Sequence, residues 1–470
     1  MKHALFALIL LISLNAQAVS LSLNDVLADL LTLDDSLPTP EEVTGIDVGE
    51  RHWYHHEIMA YLDALAAASP RMTALGEHAR SHGGRPLVSY AISTPKNIAR
   101  LDEIRAARAS IIDPTANVVL ADQPAVLHMM YSIHGNEPSG ANSTPLVAYY
   151  LNAAQDDALL DQLEDVVIIL NPMLNPDGLD RFSYWTNGHR GINPSRDAND
   201  REHTEAVPNG RTNYYWFDLN RDWLPHQHPE SRGRLTLFHE WKPNVQLDFH
   251  EQGSNSNFFF MPGKPERTNP LTPEINQTLT AKIGEFHAEV FDGEGIRYFT
   301  EEGYDDFYMG KGSTYPDLFG TVGILFEQPS SRGAAQDTVN GELTFPFSIS
   351  NQFRASLSSI KATAALREEL VSYQRGFYGN QPKRRGHYLA SAAGDPTRLN
   401  EFVRILEGHQ IKVEGLAADV TINGKTFRAG EAIAIPLDQP QATYLETLWR
   451  EQLEFEENIF YDVSTWTLPW

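Results

Sequence analysis

Four short apolar runs, each closed by a polar residue able to do chemistry, constrain this chain more than any other feature. They are AVLHMMYSIHGNE, which reaches His134 and Glu137; DVVIILNPMLNPDG, which passes Asn171; NVQLDFHEQG, which reaches His250; and TVGILFEQ, which reaches Glu327. Runs this continuous in Val, Ile, Leu and Phe read as strands of a sheet covered on both faces. Helical stretches lie around them, at Gly140 to Ala153, Asn276 to Phe291 and Ile349 to Gln374. The pattern is that of an α/β fold, in which sites form beyond the carboxyl ends of the strands. Functional residue types delivered at four strand ends therefore predict one cleft.

The flanking segments read differently. Residues 1–18, MKHALFALILLISLNAQA, carry Lys2 and His3, an apolar run from Ala4 to Ile12, and small residues at Ala16 and Ala18. This is the pattern of a secretory signal peptide cleaved after Ala18, with a run shorter than the roughly 20 residues that span a bilayer. The mature chain is expected in the periplasm or outside the cell, with no stable membrane insertion. Residues 19–50 are acidic and turn-rich, an extended lead-in to a catalytic domain over 51–375. A helix is expected from Tyr54 to Ala68, stopped by Ser69-Pro70, and a turn feeding a strand from Ser81 to Ser93. Beyond Arg384-Arg385 the pattern restarts with a strand at Tyr388 to Ala392, a helix capped by Asp395 and Pro396 and stopped at Gly408, and a hairpin turning at Asn423-Gly424. Residues 384–470 are expected to form a small separate α/β module.

Charge and cysteine usage narrow the chemistry. Lys and Arg number 37 against 62 Asp and Glu, a formal net charge of -25 that repels phosphate backbones and anionic membrane surfaces. Nucleic acid is excluded as a partner on that ground. With no cysteine there is no disulfide, no thiolate ligand and no thiol nucleophile. Neither HExxH nor GxSxG occurs, which removes the helix-borne zinc protease and the nucleophile-elbow hydrolase.

Of the 17 histidines, His134 alone is followed by Glu at the third position. Imidazole and carboxylate at this spacing can face one ion, and His250 at a strand end is the candidate third ligand. Two imidazoles and a carboxylate leave a zinc ion positive and open to water, the ligand set of catalytic zinc. Glu327, preceded by GILF, is placed to be a general base with a raised pKa. His55-His56, and His226 with His228 and Glu230 in a proline-flanked turn, are expected to be surface groups. Tyr184-Trp185 and Tyr214-Tyr215-Trp216 are expected in the core rather than along a peptide groove.

Taken in order, HGNEPSG, NPDG, GRTNYYWFDLNRDW, DFHEQG and YMGKGSTYPDLFGTVGILFEQ resemble the M14 family of zinc metallocarboxypeptidases across roughly residues 50 to 375. The resemblance implies a mixed central sheet flanked by helices. It implies one zinc ion per chain on His134, Glu137 and His250, with Glu327 as base and later proton donor to the leaving amine. By the same resemblance Arg211 polarises the scissile carbonyl, Asn220 and Arg221 grip the substrate's terminal carboxylate, and Asp218 orients a ligand histidine. Tyr308 matches the tyrosine that closes over substrate, with Tyr304 and Tyr315 as alternatives because this stretch is shorter than the family's. Thr314 matches the position that sets side-chain preference and supplies neither an acidic nor a basic anchor. The implied substrate is a peptide with a free C-terminal carboxylate. An amide hydrolase of murein peptides or acylated amino acids, and an inactive peptide-binding module, share the pattern. Residues 384–470 resemble the start of the additional C-terminal domain of some large bacterial members.

Overall fold

Along the strand Ala125–Tyr131, Leu127, Met129 and Tyr131 enter one apolar cluster while Val126 and Met130 enter others on the opposite side. That period-two division of a fully buried strand is what a sheet covered on both faces requires. The structure, a computed structural model, describes residues 32–452 apart from 114 and 118, together with 454, 457 and 459. The expected signal peptide lies outside the described residues.

The central sheet has eight strands: β1 (Met72–Arg80), β2 (Pro86–Ile92), β3 (Ala125–Tyr131), β4 (Val166–Asn171), β5 (Val245–Gln252), β6 (Phe258–Phe260), β7 (Tyr298–Phe299) and β8 (Val322–Pro329). Their order is β1-β2-β4-β3-β5-β8-β6-β7. The inner four, β4, β3, β5 and β8, are parallel, and β2 and β6 flank them antiparallel. From β3 the chain steps to β4 on one side and then returns to β5 on the other. This reversal opens a crevice at the carboxyl ends of β3 and β5, where doubly wound sheets hold their ligands.

Helices cover both faces. His55–Ala68, Ser139–Ala153 and Phe345–Ala365 contribute to the largest apolar cluster, and Pro229–Trp241 packs on the other side. The first of these ends where expected, with Ser69 in an extended conformation before Pro70. The helix expected over 349–374 is two helices, Phe345–Ala365 and Arg367–Gly379, broken at Leu366. No Gly or Pro marks the break, so no local signal announces it. Within the lead-in, a capping box of Thr39 and Glu42 starts the short helix Pro40–Thr44, and Leu33 bridges to Ala154. Among the described residues no helix is long and apolar enough to cross a membrane.

The C-terminal segment carries the strands His387–Ser391, Glu414–Gly415 and Ala432–Pro436 in one sheet. Asp395 accepts from the Arg398 N–H at 3.0 Å to cap the helix Pro396–Gly408. In the hairpin, Asn423 and Gly424 have φ of 51° and 79°, the two left-handed residues a tight two-residue turn needs. Leu406, Ile433, Ile435, Tyr444 and Leu445 share one apolar cluster with Leu224, Phe238, Tyr315 and Phe319. At its centre the Tyr315 hydroxyl lies between His239 Nε2 at 2.9 Å and His409 Nδ1 at 2.8 Å. Residues from both parts of the chain thus bury one another, each large side chain worth about 1.5–3 kcal/mol of apolar burial.

Candidate active site

Ser132, just past β3, has φ of 47° and turns the chain out of the sheet. Its hydroxyl donates to the Glu137 carbonyl at 2.8 Å, and the Glu137 N–H donates to the His134 carbonyl at 3.2 Å, so HGNE is a closed turn. A Cβ at Gly135 would stand 2.0 Å from the Gly178 backbone, and one at Gly178 would stand 2.3 Å from the Gly210 carbonyl. Three motifs therefore meet backbone to backbone. In the second, Asn175 caps the helix Pro176–His189 by accepting from the Gly178 N–H, and its amide donates to the Arg211 carbonyl at 3.1 Å. The helix start that NPDG builds thus holds the segment carrying Arg211.

This scaffold gathers His134, Glu137 and His250, all buried, within reach of one point. His134 Nδ1 lies 2.9 Å from Glu137 Oε1, His250 Nδ1 lies 2.8 Å from Glu137 Oε2, and the two Nδ1 atoms are 3.2 Å apart. On the far side of each ring, Nε2 faces a carboxylate at 3.0 Å, Asp218 for His134 and Asp248 for His250. Carboxylates accept only, so each Nε2 is set to carry a proton, which leaves each Nδ1 as the atom that can offer a lone pair to an ion. Two lone pairs and a carboxylate converge at about 3 Å, an arrangement that calls for a cation. The donor set and its flanking carboxylates fit a divalent transition metal such as zinc. The charges respond accordingly. Without an ion, burial would lower the His250 pKa, but Asp248 and Glu137 hold it well above its ordinary range, so an ion bound at Nδ1 displaces a proton. Burial would raise Glu137, but His134 and His250 hold it below its own.

Arg211 forms one wall. Its guanidinium pairs with Asp218 Oδ2 at 2.9 Å and approaches His134 Nδ1 at 3.2 Å. Burial would raise the Asp218 pKa, but His134, Arg211 and Arg221 lower it. Glu327 forms another wall: it is the register partner of His250 across β5 and β8, and burial, reinforced by the charges of Glu137 and Asp248, pushes its carboxyl up to about 8. The amide of Asn220 is committed within the protein. Its Oδ1 accepts from Trp223 Nε1 at 3.1 Å and from the Gly312 N–H at 2.8 Å, and Nδ2 lies 3.0 Å from His250 Nε2 and 3.3 Å from the Asp248 carboxylate to which it donates. Arg221, half-buried, follows on the same short turn.

The three tyrosines separate. Tyr315 belongs to the apolar cluster described above. Tyr304 donates to Gln252 Oε1 at 3.1 Å and, beyond the effect of burial, feels the charges of Glu327 and Glu137. Tyr308 sits by Arg221 and Asp222, and burial pushes its hydroxyl up to about 12. Thr314 is fully buried and donates to Asp306 at 2.7 Å.

Three groups differ from the sequence reading. The aromatics of the Arg211–Asp218 segment are on the surface: Tyr214, Tyr215, Trp216 and Phe217 are between 48% and 66% exposed, and Tyr184 is exposed as well. Conversely His55, His226, His228 and Glu230 are buried: His55 Nε2 meets the Pro86 carbonyl at 2.9 Å, and the turn formed by the other three is covered by neighbouring segments. Asp248 was not singled out by sequence, although it stands two residues before His250 and so shares its face of β5.

A family model described as zinc carboxypeptidase, peptidase M14, matches residues 58–356. Several solved structures are similar. A metallo-carboxypeptidase from Burkholderia cenocepacia is 17% identical at a TM-score of 0.46, covering 68% of this chain and 70% of its own. One from Pseudomonas aeruginosa, in complex with (2-guanidinoethylmercapto)succinic acid, is 16% identical at 0.48, with 68% and 70% covered. Carboxypeptidase A from Helicoverpa armigera is 16% identical at 0.45, with 70% and 80% covered. No curated protein gives a significant match.

Proposed function

The chain belongs to the zinc carboxypeptidase (M14) family, and on that premise we propose that it is an exported zinc-dependent carboxypeptidase that removes residues from the C-termini of peptides. The observation that carries this reading is the convergence of His134 Nδ1, Glu137 and His250 Nδ1, with Glu327 in register beside His250. Export rests on the leader read from residues 1–18.

In this reading His134, Glu137 and His250 hold zinc, while Asp218 and Asp248 fix their tautomers. Zinc held there supplies Lewis-acid polarisation of the scissile carbonyl and acidifies a water molecule. Glu327, with its carboxyl raised by burial, accepts the water's proton and returns it to the leaving amine. Arg211, beside His134 and Glu137, brings its positive charge to the oxygen where negative charge develops. Arg221 supplies the cation that recognises the terminal carboxylate, within a protein whose net charge of -25 otherwise repels an anion. Asn220, bonded to Trp223, Gly312 and Asp248, braces that turn. Tyr308 beside Arg221 and Tyr304 beside Glu327 flank the substrate.

The test is a mass-spectrometric digest of one peptide as free acid and as C-terminal amide. Sequential loss of single C-terminal residues from the free acid alone is the expected result. Equal hydrolysis of both forms would exclude the exopeptidase and favour an amide hydrolase acting elsewhere in the substrate.

A further inference from the structure

Apart from the catalytic cluster, one other group among the described residues brings three ligand atoms within 4.8 Å of one another: His82, His228 and Glu230. His82 lies in the β1–β2 turn, whose backbone is fixed from outside by Asp177. The Asp177 carboxylate accepts from Ser81 Oγ at 3.0 Å and from the Gly83 N–H at 2.9 Å. His228 and Glu230 flank Pro229 at the start of the helix Pro229–Trp241. The His228 N–H donates to Asp222 Oδ2 at 3.0 Å, and its ring tilts against Phe217. Three segments distant in sequence hold these side chains against one another.

The two rings are placed nitrogen to nitrogen, His82 Nε2 to His228 Nδ1 at 3.1 Å. Two nitrogens on one tetrahedral zinc stand roughly 3.3 Å apart, given Zn–N bonds of about 2.05 Å. Glu230 is almost wholly buried. Its Oε1 accepts the His82 N–H at 3.3 Å, while Oε2, also buried, has no hydrogen-bond partner. An unsatisfied carboxylate oxygen away from water is costly unless a cation meets it. Arg232 and Arg234 add positive charge nearby, countered by Asp222 and Asp177.

We infer that His82, His228 and Glu230 form a second metal site, separate from the catalytic cluster, that takes a borderline divalent transition ion such as zinc. Two imidazoles and one carboxylate suit zinc, cobalt or nickel over magnesium or calcium. Exposure of His82 leaves the outer side of the site to water. The ion would staple the β1–β2 turn to the helix start. Through Asp222, which accepts from the N–H groups of Gln227 and His228, it would steady the turn that carries Arg221.

The test is metal stoichiometry of the full chain, stripped with chelator, reloaded with zinc and measured by elemental analysis, with cobalt absorption spectra as a second readout. The unaltered protein should hold two equivalents. His82→Ala, in an exposed turn, and Glu230→Gln, of the same shape, should each hold one tightly. The second equivalent should bind more than roughly a hundred-fold more weakly in both, since even the outer partners of metal ligands are worth 10- to 100-fold. His250→Ala should keep the equivalent that His82→Ala loses. One equivalent in the unaltered protein that is lost in His250→Ala, or two retained in His82→Ala, would overturn the second site. One equivalent lost only in His82→Ala would instead support this site and overturn the catalytic assignment.

Discussion

His250 and Glu327 are direct register partners on the adjacent parallel strands β5 and β8. Equivalent positions of parallel neighbours project to the same face, about 4.8 Å apart, so the proposed ligand and the proposed base are set side by side by backbone pairing alone. A slip of one residue between these strands would turn Glu327 to the opposite face. Neither strand is an edge strand, which protects that register.

Metal binding should depend on His250 and on the carboxylate behind it. His250→Ala is expected to lose the catalytic zinc. Asp248→Asn should weaken zinc by roughly 10- to 100-fold, because an amide can donate to Nε2 and so favour the tautomer that protonates Nδ1. Zinc affinity by competition with a chromophoric chelator checks both; undiminished affinity in Asp248→Asn would remove its orienting role.

Glu327→Gln keeps shape and reach and cannot take a proton. Turnover should fall by roughly 10²- to 10⁴-fold with zinc retained. Near-normal kcat in this variant would move the base to another carboxylate.

The same substitution should change how stability depends on pH in the metal-depleted protein. Glu327 has a folded pKa of about 8 against an ordinary value of 4.5, so between these values the folded state keeps a proton that the unfolded chain gives up. Its contribution is fully present below the lower value and is lost as pH rises through the upper one. The Tm of Glu327→Gln minus that of the unaltered protein should therefore grow from pH 5 to pH 8. A flat difference would show that burial does not raise this carboxyl.

Arg221 and the substrate's terminal carboxylate should behave as one interaction. Arg221→Gln should lower kcat/KM tenfold or more for free-acid peptides, charge-assisted bonds being worth about 1.5–3 kcal/mol. On amidated peptides the substitution should add little, and a double cycle should show the two changes to be non-additive. Additive losses would place carboxylate recognition elsewhere.

Leu445 is buried in the cluster shared with Phe238, Tyr315 and Phe319. Leu445→Ala should destabilise by about 2–5 kcal/mol in a single cooperative transition, if residues 384–452 fold together with the rest. Two separate transitions in denaturant would mark an independent module.

Much of this molecule is written in local sequence. The inner strands are continuous apolar runs, Asn175-Pro176 and Asp395-Pro396 are self-contained helix starts, and Asn423-Gly424 carries its own turn; each depends on neighbours a few residues away. The candidate site was legible through the order of its motifs, and Asp248 could have been found by stepping two residues back along β5 from His250. Tertiary structure alone decided the rest. The aromatics at 214–217 are exposed and His228 and Glu230 buried because burial depends on which distant segment covers a side chain, and these positions lie in turns with no apolar period to declare a face. The break at Leu366 and the joining of Tyr444 and Leu445 to Tyr315 are likewise settled by packing partners remote in sequence. So is the meeting of His82 with His228: a turn between two strands and a helix start approach one another only after the sheet has formed.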